Sequence, residues 1–187
     1  MRLFWPRNMM SRRRVFNVFL FVAAAAFLTG CLSEESKRKR EYSNIRIHVE
    51  ADSSGGSGSA VSIHRAQPIM INIEREPIID EHNVVAAALV EQAGGTFAIQ
   101  IKLDRRGSWI LERTTVTHHG RHLAISSMWG PERWLAAPYI IGKNSTGTLI
   151  FTPDATREES ERIVRGLNNT AHKLERKENW PFPSGME

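Results

Sequence analysis

The clearest strand signal of the chain opens the segment FAIQIKLDRRGSWILERTT, residues 97–115. Its first seven residues alternate between large apolar side chains and small or polar ones, which is typical of a β-strand with one buried face. Asp104 follows directly and can cap a helix over about 105–119. Gly120 is the residue type that most easily ends a helix in the left-handed conformation. The stretch therefore predicts a strand followed at once by a helix.

Further strands are predicted on both sides of this unit. The alternating segments are IRIHVE at 45–50, VSIHR at 61–65, IMINIE at 69–74, LAISSM at 123–128, RWLAAPYI at 133–140 and GTLIFT at 147–152. Between them, Asp80 or Asn83 can cap a short helical turn. The segment VVAAALV at 84–90 fits a helix or a strand.

A second helix is predicted near the end of the chain. Thr156 and Glu159 have the spacing of a capping box. An apolar stripe follows at helical spacing, formed by Ile163, Leu167, Ala171 and Leu174. The order strands, helix, strands, helix predicts an α+β fold, a mostly antiparallel sheet with two helices packed on one face.

The beginning of the chain has the pattern of an export signal. Residues 1–14 contain five arginines and no acid, and the apolar run VFNVFLFVAAAAFLT follows. This run is short for a membrane span, which needs about 20 residues, and fits a secretory signal over 1–30. LTGC at 28–31 resembles the bacterial lipoprotein box, and this resemblance implies a lipid on the thiol of Cys31. A buried core thiol is the alternative for this cysteine, the only one in the chain.

That resemblance also implies a location. The mature protein would be lipid-anchored in the bacterial cell envelope and face the periplasm, with the membrane as a partner through Cys31. Leu32 stands where an aspartate tends to retain such proteins at the inner membrane, so the outer membrane is favoured.

Composition suggests where the domain begins and which partners to exclude. Residues 31–60 are rich in charged, serine and glycine residues, apart from the strand-like 45–50, and we assign them to a flexible linker. The domain then spans 61–176, and 177–187 form a tail. Five of the 25 Lys and Arg lie in the signal, which leaves 20 basic and 20 acidic residues. A neutral mature chain gives no basis for nucleic-acid binding.

The motifs of catalysis are missing. His118, His119 and His122 lie close together, but Gly120 separates them into a helix end and a strand start, which favours a structural role over a metal site. The sequence contains no HExxH, no G-x-S-x-G and no phosphate-binding loop. We therefore expect no metal, no cofactor and no catalytic residues, that is, a protein that is not an enzyme.

Tryptophans offer a possible interaction surface. Trp109, Trp129 and Trp134 would form a platform for carbohydrate or peptide, but at helix and hairpin positions they are more often semi-buried. Trp180 lies in the tail. We expect Trp129, Trp134 and Trp180 to be the candidates for contact with a partner.

Residues 69–174 resemble the head of the first periplasmic domain of SecD and SecDF, accessory subunits of bacterial protein export. The similar segments follow in order: EREPIIDEHNVVAAAL, FAIQIKLDRRGSWILERTT, HGRHLAI, WGPERWLAAPYI and IFTPDATREESERIV. The third segment is a helix end, a glycine and a strand start in that family, which uses no metal there. Trp129 stands where the family favours aspartate, and the turn is about two residues longer.

The resemblance implies a function without catalysis. The family's membrane helices and the base below its head have no counterpart here, so only the head's contact with exported polypeptide carries over. We expect a protein that binds polypeptide or assists export, with the Sec translocase or unfolded exported protein as partner. The alternative is a structural or interaction lipoprotein of the envelope, unrelated to export.

Overall fold

The structure is a computed structural model that describes residues 35–52, 58–128 and 132–178. Contacts divide the chain into two units, Met1–Lys39 and Arg40–Glu187. In the first unit, the described residues form one helical turn, in which the Lys39 N–H donates to the Glu35 carbonyl (3.1 Å). The second unit contains the folded domain.

The described part of the second unit contains nine strands and two α-helices. The strands are β1 (Asn44–Val49), β2 (Ser59–Ile63), β3 (Ile69–Ile73), β4 (Ile79–Asp80), β5 (Val84–Glu91), β6 (Phe97–Leu103), β7 (Leu123–Met128), β8 (Glu132–Ala136) and β9 (Thr148–Phe151). The α-helices are α1 (Arg105–Thr117) and α2 (Arg157–Glu178), and 3₁₀ turns span Glu81–Asn83 and Ala93–Gly95.

All strand pairs are antiparallel, which confirms the predicted α+β class. The strands form three sheets and not one: β4-β1-β7-β8, β5-β6-β9 and the hairpin β2-β3. The two larger sheets and both helices contribute side chains to the same core. Alternation in the sequence predicts strands, but pairing across the chain decides how they are divided among sheets.

Strand β1 corrects the predicted domain boundary. It pairs with both β4 and β7, and Ile45, Ile47 and Val49 are almost fully buried. The folded domain therefore begins near residue 40, inside the range 31–60 that the sequence assigned to a linker. The flanking charged and serine-rich residues dominated the composition of that range, although the alternation at 45–50 was the correct signal.

The core has two parts, one on each face of the sheet that contains β1. Helix α1 contributes Leu111 to the larger part, and α2 contributes Ile163 and Leu167. On the opposite face, the β2-β3 hairpin covers the sheet through a smaller cluster that includes Ile63 and Ala124. The hairpin therefore shields a face that would otherwise be open to solvent.

The predicted caps of both helices are present. The Asp104 side chain accepts a hydrogen bond from the Gly107 N–H (2.6 Å) at the start of α1. At the start of α2, the Thr156 N–H donates to the Glu159 carboxylate (2.9 Å) and the Glu159 N–H donates to Thr156 Oγ1 (3.2 Å). These reciprocal bonds are the capping box expected from the sequence. Helix α1 ends at Thr117, two residues before the predicted end.

The ambiguous segment at 84–90 is strand β5, with an irregular register between Val84 and Ala86. Asp80 caps the preceding 3₁₀ turn by accepting from the His82 N–H (2.9 Å). No helix among the described residues is long and apolar enough to cross a membrane.

Candidate functional site

Two of the clustered histidines make separate, local contacts. His118 ends α1, where its Nδ1 lies 2.8 Å from Thr117 Oγ1. His119 instead has its Nε2 3.0 Å from the carbonyl oxygen of Ile141. Within the described ranges, no three His, Cys, Asp or Glu side chains come together in a way that could hold a metal ion.

The third histidine forms hydrogen bonds that join the ends of two strands. Glu50, just after β1, accepts hydrogen bonds from the His122 backbone N–H (2.9 Å) and from its ring Nδ1 (2.7 Å). Burial would raise the pKa of Glu50, but these two hydrogen bonds and the charges of His122 and Arg121 outweigh it and lower the pKa. The ring of His122 also packs edge-on against Tyr139, with 5.1 Å between the centroids. This arrangement fixes the start of β7.

Strand edges carry the unpaired backbone groups of a sheet, and α2 partly covers the edge of β5. Asn168 of α2 accepts from the Ala87 N–H (2.8 Å) and donates to the Ala87 carbonyl (2.9 Å). Arg157, at the start of the same helix, binds Glu91 at the end of β5 (2.6 Å). Helix α2 therefore follows the outer edge of β5 and satisfies part of it.

The edge of β8 is also partly occupied. The Asp154 N–H donates to the Leu135 carbonyl (2.7 Å), so the chain that leaves β9 crosses to β8. Arg133 holds this crossing, since its guanidinium binds the Asp154 carbonyl and the carboxylate of Glu159.

The edge of β9 is open at one residue. The Leu103 N–H donates to the Gly147 carbonyl (2.9 Å), so the odd-numbered residues of β9 direct their backbone groups toward β6. Thr148 and Ile150 direct theirs outward. Asn144 Nδ2 donates to the Thr148 carbonyl (2.8 Å), but within the described residues nothing binds the outward N–H and carbonyl of Ile150. The side chain of Ile150 is 51% exposed.

A groove runs beside this open edge, and we call it the β9 groove. Two adjoining depressions form it, and both include His64 and Thr152. The other lining residues are Ala66, Gln67, Pro68, Ile69, Gln92, Ala136, Ala137, Pro138, Ile150, Phe151, Pro153 and Asp154. Apart from Asp154 they are uncharged, and most are apolar. An open backbone edge beside an apolar groove is the geometry that accepts an extended peptide as an added strand.

His64 adopts an unusual backbone conformation in the groove. Its φ angle is +68°, the only positive value of a non-glycine residue in the described chain. Such a conformation costs about 1–3 kcal/mol and occurs preferentially at binding sites. The next residue, Arg65, is held by Asp154, which accepts from its backbone N–H (2.9 Å) and pairs with its side chain (3.4 Å).

Of the tryptophans that the sequence singled out, the structure describes Trp109 and Trp134. Trp134 is half-buried, contacts the small core cluster and lies edge-on to His48 at 5.6 Å. Cys31, Trp129 and Trp180 lie outside the described residues, so lipidation and the wider tryptophan surface stay predictions. Trp109 differs from expectation, since it is 60% exposed on the outer side of α1.

The sequence analysis missed the residues of the β9 groove. The sequence did contain a signal for Ile150. In GTLIFT it lies between Leu149 and Phe151, whose side chains are buried, so its own side chain is on the outward face of the strand. An apolar residue at an outward position suggests a contact surface. No sequence signal identifies the positive φ of His64.

These features define an α+β domain of antiparallel strands in which β9 has a partly open edge. Its fold is similar to that of solved SecDF structures. A structure of SecDF, a membrane component that enhances protein export, matches with a TM-score of 0.52 and 16% identity over 74% of this chain and 67% of that one. SecDF in a super-membrane-facing form matches with a TM-score of 0.54 and 14% identity over 73% of this chain.

The matched part of this chain spans 20% of the length of that second structure. At this level of identity, the similarity shows that the SecD-like fold predicted from the sequence is present. No family model and no curated protein sequence matches the chain.

Proposed function

We propose that this protein is a non-catalytic component of protein export that binds extended, unfolded polypeptide in the β9 groove. The observation that carries the proposal is the free N–H and carbonyl of Ile150 beside an apolar groove. The SecDF-like fold supports the link to export. The partner would be an exported chain, the Sec translocase, or both.

Binding through the strand edge suits an unfolded client. The backbone groups of Ile150 can pair with the backbone of any extended residue except proline, so recognition does not depend on sequence. Pro68, Ile69 and Pro138 supply apolar surface for whichever side chains the client presents. A net hydrogen bond contributes about 0.5–1.5 kcal/mol, and one open residue offers only two. The interaction is therefore weak and reversible, as handling of a moving chain requires.

A matched pair of substitutions tests the groove. Ile150→Pro removes the outward N–H, and proline is tolerated at an edge where that N–H faces solvent. Ile150→Ala keeps the N–H and removes most of the side chain. Fluorescence anisotropy with a labelled, permanently unfolded protein should show about 2- to 12-fold weaker binding for the proline variant than for the alanine variant. Equal affinities of the two variants would contradict strand addition.

A crosslinking experiment tests the link to export. A photo-crosslinking residue at position 150 should capture exported chains in native membranes, whereas the same residue at the exposed His172 of α2 should not. Capture of other envelope proteins alone at position 150 would favour a structural or interaction role unrelated to export.

We further propose that the mature protein is anchored through a lipid on Cys31 and faces the periplasm, at the outer membrane. The sequence LTGC after an apolar run supports this. Mass spectrometry of the first peptide should show a chain that begins at Cys31 and carries acyl groups. Cys31→Ser should yield a chain without acyl groups that is held by membranes more weakly than the wild type, and membrane fractionation by density would assign the membrane. An unmodified Cys31 peptide would refute the anchor.

A further inference from the structure

A second surface lies on α1. Trp109 and Val116 are two turns apart on the outer side of the helix and are 60% and 56% exposed. Ile141 is 83% exposed, the highest value among the large apolar side chains of the described residues. None of these three side chains lines the β9 groove.

Two contacts place Ile141 beside the helix. The Ile141 carbonyl lies 3.0 Å from Nε2 of His119, two residues after the end of α1. Lys143 binds Glu112 in the middle of α1 at 2.6 Å. The segment 141–143 therefore follows the flank of α1, which brings Ile141 next to the last helical turn and to Val116. We call Trp109, Val116, Ile141 and the exposed arginines of α1 the α1 face.

The α1 face is positively charged. Arg105, Arg106 and Arg113 are exposed, and the guanidinium of Arg113 lies 5.6 Å from the centre of the Trp109 ring. Glu112 is the one acidic residue within α1, and Lys143 neutralises it. The arginines are therefore left without compensating acids on the same helix.

We propose that the α1 face docks on a membrane surface that contains anionic lipid. Protruding tryptophan and aliphatic side chains can enter the soft layer between headgroups and acyl chains, while arginines beside them bind lipid phosphates. Clustered basic residues are attracted to anionic headgroups. A peptide partner would need a groove or an open strand edge, and the α1 face offers neither. This inference goes beyond the proposed polypeptide binding and does not depend on the lipid at Cys31.

The size of the face argues against a second copy of this chain as the occupant. A stable dimer buries about 800 Å² on each partner, usually through 20–30 residues. The α1 face has three apolar side chains and a like-charged border, which would repel its own copy.

Tryptophan quenching by brominated lipid tests the proposal on the full chain. The signal of Trp109 is obtained as the difference between the wild type and Trp109→Phe, both bound to phosphatidylcholine vesicles that contain phosphatidylglycerol. We expect this difference signal to be quenched when the phosphatidylglycerol is brominated. No quenching in a vesicle-bound protein would overturn the proposal. Protection of Trp109 from a soluble quencher without vesicles would overturn it in favour of self-association.

Charge reversal tests the role of the arginines. Arg105→Glu and Arg106→Glu should each weaken quenching of Trp109 by at least about fivefold, and high salt should also weaken it. Arg176→Glu, an exposed position on α2, is the matched control and should leave the quenching unchanged. Equal quenching in vesicles of brominated phosphatidylcholine alone would refute the requirement for anionic lipid. Loss of quenching on addition of polyglutamate but not of salt would point to an acidic polypeptide as the occupant instead.

Discussion

The two hydrogen bonds that join Asn168 of α2 to Ala87 of β5 allow a quantitative prediction about stability. Asn168→Ala removes both hydrogen bonds to Ala87, and Ala87 is only 8% exposed, so water replaces them poorly. Two net hydrogen bonds contribute about 1–3 kcal/mol, and leaving buried groups unpaired moves the loss toward the upper end. The better helix propensity of alanine offsets about 0.5 kcal/mol of this loss in stability. We expect a decrease of about 2 kcal/mol in the free energy of unfolding.

Urea unfolding of the purified chain measures this change. With a slope of about 2 kcal/mol per molar urea, the midpoint should fall by about 1 M while the slope stays constant. His172→Ala, at an exposed position of the same helix, is the control and should change stability by less than about 0.5 kcal/mol. The variant should also self-associate with rising concentration, because the backbone of Ala87 becomes available at the strand edge. If Asn168→Ala is as stable as the control, the reasoning that α2 is held by this edge is refuted.

Three further predictions concern the core, a close approach and pH. Leu111→Ala leaves a cavity in the main core and should cost about 2–5 kcal/mol in urea unfolding, and a loss below about 1 kcal/mol would contradict its place there. Gly166→Ala should lower the melting temperature, because a Cβ at this position would lie 2.7 Å from the backbone nitrogen of Ser43. This clash should outweigh the better helix propensity of alanine. A higher melting temperature would show that α2 can move away from Ser43. The lowered pKa of Glu50 means that its ionised carboxylate, which accepts hydrogen bonds from His122, stabilises the fold above the ordinary glutamate pKa of 4.5, and this contribution is lost as pH falls through the lower folded value. Glu50→Gln should therefore be less stable than the wild type at neutral pH and equal to it in acid, and a pH-independent difference between their unfolding midpoints would contradict this.

Local signals in the sequence predicted local structure well. Thr156 and Glu159 form the expected reciprocal bonds, and Asp104 caps α1 as its position indicated. Gly120 adopts a φ of +83°, as a residue that follows a helix end should. Each of these features is determined by a few neighbouring residues, so a single sequence suffices to predict it.

Features that depend on distant residues were not predictable in the same way. VVAAALV became a strand because it pairs with β6 and because Asn168, 81 residues later, binds Ala87. The backbone of Ile150 is open because β9 is the last strand of the sheet β5-β6-β9, and no local pattern in the sequence announces this position. The candidate site is therefore a property of the tertiary arrangement, which explains why the sequence pointed to tryptophans and missed the strand edge.

The contacts of α2 with the beginning of the domain constrain the order in which the domain can fold. Asn169 and Thr170 donate to the carbonyls of Glu41 and Ser43, which lie more than 120 residues earlier in the chain. A chain that is synthesised or translocated from its first residue onward cannot make these contacts until its last helix has emerged. During that interval the edge of β5 has no cover, and the protein passes through the same exposed, incomplete condition as the unfolded chains that we propose it binds. Its own maturation is therefore a natural occasion for assistance by a chaperone.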